Sequence, residues 1–391
     1  MRLIYVFNGR LPTEKAHGLQ LSKMCEAFAA LGIQTELIVP YGFNPIKEDT
    51  FSFYGLKKNF TIKKLWSINP IYIKGFPGRL AFFVQNFSWC ISLIFHLSIR
   101  HYSKDTIFYA RDYVSLFVLS ILGRHPIAEI HDYRFSRPRF FIRVILKRCA
   151  GLITNSEGTL RSLRAHYDIK EGKAFVAPNG VDIEFFDIKD SKEEARDKLN
   201  IPQNQFVISY IGRLETVGME KGVYCLLQAF GRVLVSGAEC TIYIVGGPDH
   251  RINEYKNNLK ELNIPENKVV FTGQIRHNEI PLYLRAFDVT VIPFPKTRQF
   301  EFTASPIKVF EFLAAGKIII ASDLNSLHTH LNESNALFFE PGNDEDLATK
   351  ITKALTEPRL GNRLSRQARQ DAEQYSWEKR AKRILNFINH D

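Results

Sequence analysis

The feature that most constrains this chain is a rhythm: short β-branched strand patterns alternate with helical ones, and the series runs twice. In the first half, Ile4–Phe7, Gln34–Val39, Ile107–Tyr109, Ile127–Ile130, Gly151–Thr154 and Ala174–Val176 read as strands. Helical periodicity over Leu19–Leu31 and Ser156–Tyr167 separates some of them. The second half repeats the style, with strands at Phe206–Ile211, Thr241–Val245, Val269–Thr272, Val289–Ile292, Ile318–Ala321 and Ala336–Phe339. Helices are expected near 221–235, 251–262, 279–286, 307–315 and 344–356. Two such series imply an α/β chain with two open parallel sheets of Rossmann type. With 391 residues, each half is long enough to bury its own core. Domains are expected at 1–190 and 200–375. The charged stretch Asp187–Asn200 lies between them, and its Ser191 and Glu194 have capping-box spacing. Ligands of such sheets bind beyond the strand C-termini, so the expected site is a cleft between the two domains.

Charge is distributed unevenly. Residues 1–200 hold 29 lysines and arginines against 19 acids, and residues 201–391 hold 23 against 22. Between Asp49 and Asp105 there is no acid, while eight basic residues and thirteen aromatics occupy the gap. A second acid-free run carries Arg134, Arg137, Arg139, Arg143, Lys147 and Arg148. The first half is therefore expected to meet an anionic partner, a solvated basic face being the plain alternative. Leu80–Ile99 is apolar enough to need a membrane test. Its Gln85, Asn86, Ser88, Ser92, His96 and Ser98 favour a packed amphipathic helix, with interfacial insertion second. The five cysteines are scattered and form no C-x-x-C pair, which argues against a disulfide framework or zinc site. The N-terminus runs straight into a strand pattern without the apolar stretch of a signal peptide. A cytoplasmic protein is expected, at the inner face of a membrane if the basic half binds one.

Several positions carry chemistry. Gly212-Arg213 follows a strand and Lys221-Gly222 opens a helix, a pattern suited to an anion. The block from Thr303 to Lys317 places Ser305 and Pro306 at a helix start, whose amides suit phosphate, with Glu311 about one turn inside to accept from sugar hydroxyls. Gly18 lies at a helix start where a missing side chain allows close approach. His131 ends the strand Ala128-Glu129-Ile130, at the expected cleft edge. Each has an ordinary reading as well: surface cation, helix-face glutamate, turn glycine, structural histidine. Asp344-x-Asp346 has the look of a metal motif, but it follows Pro341-Gly342-Asn343 and reads as a helix cap.

Taken in order, these motifs resemble the retaining family-4 glycosyltransferases of GT-B fold, also described as glycosyl transferases group 1. The resemblance runs through Gly18, Tyr109-Ala110-Arg111-Asp112, Glu129-Ile130-His131-Asp132, Thr154-Asn155-Ser156 and Pro178-Asn179-Gly180-Val181-Asp182. It continues through Gly212-Arg213, Lys221-Gly222, Val245-Gly246-Gly247, Phe271-Thr272-Gly273, the 305–317 block, Ala321-Ser322-Asp323 and Tyr375-Ser376-Trp377. It implies a C-terminal helix, 376–391, that packs back on the first domain. It implies that Arg213 and Lys221 hold the diphosphate of a UDP- or GDP-linked sugar and that Glu311 binds the ribose. Ser305, Pro306 and Ile307 would contact phosphate or sugar, and Gln274 and Ile275 would border the base. His131 would lie near the transferred sugar, with Gly18 and Gly212 near the diphosphate. Thr303 stands where the family often has a glutamate, with Glu301 two residues earlier. The implied reaction is sugar transfer to a glycan or lipid-linked acceptor with retention, in surface polysaccharide or glycolipid synthesis. No metal and no cofactor beyond the donor are expected. The basic, aromatic region 50–104 is expected to touch the membrane. A sugar-nucleotide epimerase shares the fold, and a non-catalytic sugar-nucleotide-binding protein is the reading Thr303 favours. A nucleic-acid partner would use the charge, but no nucleic-acid module is recognisable.

Overall fold

The computed structural model describes residues 1–389 apart from 71–72, 74–75, 132–138, 217 and 304. Asp132, Arg134, Arg137 and Ala304 from the motifs above, and Lys74 of the acid-free stretch, lie outside the described residues. The chain divides into two units: Met1–Asn179 joined by the C-terminal segment from Trp377, and Gly180–Ser376. The break thus falls ahead of the charged 187–200 stretch rather than within it. Packing explains the difference. Phe186, Ala195 and Ile201 are buried in a core of the second unit. Arg196 donates to the Ala286 carbonyl at 3.0 Å and pairs with Asp288 at 2.8 Å.

The first unit is a seven-stranded parallel sheet. Its strands are β1 (Arg2–Val6), β2 (Gln34–Tyr41), β3 (Thr61–Trp66), β4 (Thr106–Ala110), β5 (Ile127–Ile130), β6 (Gly151–Thr154) and β7 (Ala174–Val176), in the order β3-β2-β1-β4-β5-β6-β7. The interior strand β1 reads as a continuous apolar run, Leu3 to Val6, and is wholly buried, as a strand covered on both faces must be. β3 is absent from the strands expected above: Lys63 and Lys64 interrupt its apolar pattern, which an edge strand tolerates because its outer side faces water. The helices Ala16–Ala30 and Trp377–Asn389 pack on one face and on each other. The helices Gly78–Ile99, Tyr113–Ile121, Arg139–Arg148 and Glu157–Arg164 cover the other.

The second unit holds β8 (Phe206–Ile211), a short antiparallel hairpin of β9 (Glu215–Thr216) and β10 (Met219–Glu220), then β11 (Cys240–Val245), β12 (Val269–Gly273), β13 (Val289–Ile292), β14 (Ile318–Ser322) and β15 (Ala336–Phe339). Its six-stranded parallel sheet runs β12-β11-β8-β13-β14-β15. Helices Val223–Val235, Asp249–Glu261 and Asp344–Thr356 lie on one face, and Ile280–Ala286, Ile307–Ala314 and Pro358–Ala372 on the other. The Ser191–Glu194 capping box forms, with bonds of 3.1 and 2.7 Å. At the start of helix Asp344–Thr356, Asn343 accepts from the Asp346 amide at 3.0 Å and Asp344 pairs with Arg232. Both sheets grow outward from their first strand in one direction and then in the other. Each therefore has a topological switch point, between β1 and β4 and between β8 and β13, where open α/β sheets bind ligands.

Candidate functional site

At the switch point of the second sheet, glycines bring three strand ends together. Gly212 and Gly246 have φ of +134° and +136°, and a Cβ on Gly246 would stand 2.0 Å from the Gly212 carbonyl oxygen. The Gly212 amide donates to Val245, the Gly246 amide to Gly273 and the Leu214 amide to Gly247, each at 2.8 Å. The ladder so continues through the turns and presents Arg213 exposed at the tip. The Tyr210 hydroxyl donates to the Arg213 carbonyl at 2.6 Å and steadies it from below.

The start of helix Val223–Val235 differs from expectation. Gly222 takes a left-handed conformation, and a Cβ there would also stand 1.5 Å from the Pro293 carbonyl oxygen, so only glycine fits. The Glu220 carboxylate accepts from the amides of Gly222, Val223 and Tyr224 at 2.6, 2.5 and 3.2 Å, and from the Tyr255 hydroxyl at 2.7 Å. These first-turn amides already hold an anion, so any anion site here rests on side-chain cations instead. Lys221 stands beside Arg213, and burial together with that neighbour lowers its amine to about 8.

Helix Ile307–Ala314 begins after buried Ser305, with Pro306 extended at its cap. Glu311 is buried one turn in, and its Oε1 lies 3.1 Å from Nε2 of His277. The His277 ring stacks on Phe185 with centroids 5.0 Å apart and planes 2° apart. His277 follows Gly273, exposed Gln274 and half-buried Ile275, so the end of β12 delivers it to Glu311. Thr303 donates back to the Gln299 carbonyl at 3.0 Å, and Glu301 accepts from Asn325 at 2.6 Å. Arg213, Lys221, Ser305, Ile307 and Glu311 thus share one unit with His277, Phe185 and Glu220, which sequence reasoning did not single out.

In the first unit the polar centre is Glu129, fully buried on β5. It accepts from Tyr109 at 2.7 Å, Gln20 at 3.0 Å, Tyr5 at 3.3 Å and Arg380 at 2.7 Å. Its Oε1 lies 2.5 Å from Nε2 of His131. Arg380, from the C-terminal helix, also donates to the carbonyls of Pro178 at 2.7 Å and Ala177 at 3.1 Å. Arg380 and His131 hold the Glu129 carboxyl well below the usual range despite its burial. Burial, then Arg111, lowers His131 to about 4. At neutral pH His131 is therefore neutral, its Nε2–H faces Glu129, and Nδ1 is its acceptor nitrogen. Asp112, at the end of β4, accepts from the amides of Asn8 at 2.9 Å and Ser115 at 2.8 Å, tying the two switch-point loops together. Gly18 makes its close approach within the protein: a Cβ would stand 2.1 Å from the Tyr54 hydroxyl and 2.5 Å from Thr13. That hydroxyl donates to the Thr13 carbonyl at 2.6 Å.

Helix Gly78–Ile99 is long and apolar enough to cross a membrane by length and composition. One side, with Trp89, Leu93 and Leu97, is buried in the sheet's core, and Trp89 donates to Ser115 at 3.0 Å. The other side shows Leu80, Phe83, Phe87, Ile91, Phe95 and Ile99, each 49–65% exposed. In the same helical layer, Arg139–Arg148 exposes Phe140 and Phe141 beside Arg139, Arg143 and Lys147.

Two parallel α/β units of this topology define the GT-B class. Sucrose-phosphate synthase from Thermosynechococcus elongatus matches with a TM-score of 0.77 at 18% identity, over 100% of this chain and 99% of that one. Anabaena HepE in complex with UDP-glucose matches with a TM-score of 0.74 at 17% identity, over 99% and 100% of the two chains. Residues 20–185 match Glycosyltransferase Family 4, and residues 191–371 match Glycosyl transferases group 1. The chain belongs to this glycosyltransferase family. Among curated relatives, alpha-monoglucosyldiacylglycerol synthase of Streptococcus pneumoniae is 28% identical over 237 residues, 59% of this chain and 50% of that protein. The chain spans about half the length of the curated relatives it matches.

Proposed function

We propose that this chain transfers a sugar from a nucleoside-diphosphate donor, with retention, to a lipid-linked or glycan acceptor at the cytoplasmic face of a membrane. The observation that carries the donor half is the pairing of Arg213 with a partly buried Lys221 at a sheet's switch point. The UDP-glucose bound by HepE, a protein of the same fold, supports a donor of this type. As the glycosidic bond breaks, its electron pair passes to the diphosphate, and Arg213 and Lys221 stabilise the charge that grows there. The acceptor hydroxyl attacks the same face of the sugar and gives its proton to the leaving diphosphate. Glu311, oriented by His277, receives the ribose hydroxyls. Ser305, Pro306 and Ile307 line the donor's phosphate or sugar, and Gln274 with Ile275 borders the base. His131, neutral and anchored through Nε2, offers Nδ1 to a sugar hydroxyl.

The acceptor half rests on the exposed stripe from Leu80 to Ile99. Aromatic side chains suit the headgroup layer, and each nearby lysine or arginine contributes about 1 kcal/mol on an anionic surface. The proposed contact is this helix face and the basic helix Arg139–Arg148 of the same layer, together with the exposed Trp66, Lys57, Lys58 and Lys64 of the 50–104 region. The name of the Streptococcus relative, a diacylglycerol glucoside synthase, supports a lipid acceptor.

A melting panel with UDP-, GDP- and ADP-sugars tests the donor. Saturation at about 100 times Kd should stabilise the protein by about 2.7 kcal/mol, and no response to any of them defeats the reading. NMR of the product's anomeric proton tests retention. Co-sedimentation with anionic and neutral liposomes at low salt tests the surface. Strong binding to anionic vesicles that Phe83→Ser with Phe87→Ser weakens is expected, and equal, negligible binding to both removes the membrane from the proposal.

A further inference from the structure

Lys308 stands on the first turn of helix Ile307–Ala314, and its side chain runs beneath the glycine turn at the end of β8. A Cβ on Gly212 would stand 2.8 Å from Nζ and 2.9 Å from Cε. Nζ lies 4.0 Å from the centroid of the Tyr210 ring and 5.6 Å from that of Phe294. It is closed to solvent and, among the described residues, has no hydrogen-bond partner. The Tyr210 hydroxyl is committed to the Arg213 carbonyl. A buried ammonium without an acceptor is costly, and aromatic ring faces offset only part of the cost. Burial first, then Lys221, pushes the amine well below the ordinary lysine range. Glu311 attracts it, but that carboxylate is already paired with His277.

A methionine would fill the same space without the desolvation cost. Retaining a cation here makes physical sense when an anion arrives to meet it. The switch point then carries three basic side chains, Arg213, Lys221 and Lys308, while its carboxylates Glu220 and Glu311 are already engaged by helix amides and by His277. Resting on the donor reading above, we propose that Lys308 is a third diphosphate-holding residue: Nζ, held here against Tyr210 below Gly212, turns to the diphosphate when the nucleotide sugar binds. The glycine at 212 leaves room for that movement, which any side chain there would block.

Calorimetric titration of the full chain with UDP, GDP and ADP, paired with melting of the unliganded protein, tests this. For the nucleotide that binds the wild type, Lys308→Met should weaken binding roughly 10- to 100-fold, the loss of one charge-assisted contact. The variant should melt no lower than the wild type, since it removes a buried charge without a partner. Lys308→Gln should weaken binding in the same way. Equal affinity in wild type and both variants overturns the proposal. So does a fall in melting temperature with affinity unchanged, which marks a structural lysine. If no nucleotide binds the wild type, it is the donor reading that fails, and the two failures are separable.

Discussion

The first unit buries a carboxylate and a guanidinium together beside its switch point, whereas the β8 turn of the second gathers cations that lack such a match. Glu129 and Arg380 are both fully buried, 2.7 Å apart, and Tyr5, Tyr109, Gln20 and His131 surround the carboxylate. In the second unit, burial and a neighbouring cation lower the amines of both Lys221 and Lys308. A buried pair contributes little net stability, yet either half alone is severely destabilising. Cations held near one another raise the energy of the free protein and lower it when an anion binds. The closed centre thus specifies the fold, joining β5 to a helix 251 residues away in sequence, and the cationic centre stores affinity for a ligand.

The hardest way to break this contrast is to remove one member of the closed pair. Glu129→Gln should cost about 3–5 kcal/mol of stability, because it leaves Arg380 charged, buried and without its carboxylate. Arg380→Met should cost a similar amount. Urea denaturation measures both, and a loss below about 1 kcal/mol in each would mean the two centres do not differ in kind.

The matching change in the cationic centre should spare stability and remove activity. Arg213→Ala and Lys221→Ala should each lower turnover roughly 100- to 1000-fold at saturating donor, as removal of one charge-stabilising donor does. Their urea midpoints should stay near that of the wild type. Near-normal turnover in both would dissolve the diphosphate assignment.

The contrast also explains what can be read from the residues alone. Short, mostly apolar runs bounded by polar or turn residues mark strands, so β5, β6, β7, β8, β13 and β15 are legible to the residue. β3 is not, because Lys63 and Lys64 give it the composition of a surface loop. Arg213, Lys221 and Glu311 announce themselves through glycine turns and a proline helix start. Arg380 carries no such signal: on an amphipathic helix it resembles any exposed arginine, and only tertiary packing brings it to Glu129. Lys308 lies inside a recognisable motif, yet a lysine on a first helical turn reads as solvated. Glu220 precedes Lys221-Gly222, and its capping bonds depend on the left-handed Gly222 that folds the chain back. Gly18 shows the reverse case, a glycine whose close contact is Tyr54.

A smaller effect should appear in the pH profile of kcat/KM for the donor, which reports ionisations of the free enzyme. Lys221, lowered to about 8, is charged below that pH and loses its proton above it. The charged form meets the diphosphate, so the fall in kcat/KM should steepen above pH 8 by up to about tenfold per unit. Lys221→Arg should abolish the steepening, because guanidinium stays charged throughout. His131, lowered to about 4, should add no limb between pH 5 and 8. A profile in Lys221→Arg that still steepens at 8 would assign the titration to another group.

The smallest expected effect is that of EDTA, which should leave turnover unchanged. A metal in a transferase site spreads the charge of the departing diphosphate, and it needs carboxylate or imidazole ligands to hold it there. Around the β8 turn the acidic groups are committed: Glu220 caps a helix, and Glu311 is bound to His277. The neighbouring charges are positive, which repels a divalent cation while supplying the stabilisation such an ion would give. Loss of turnover in EDTA, restored by magnesium or manganese, would show that the cations do not suffice. The cationic centre would then need a metal bridge between protein and diphosphate, and the division between a centre built for folding and one built for an anion would have to be redrawn.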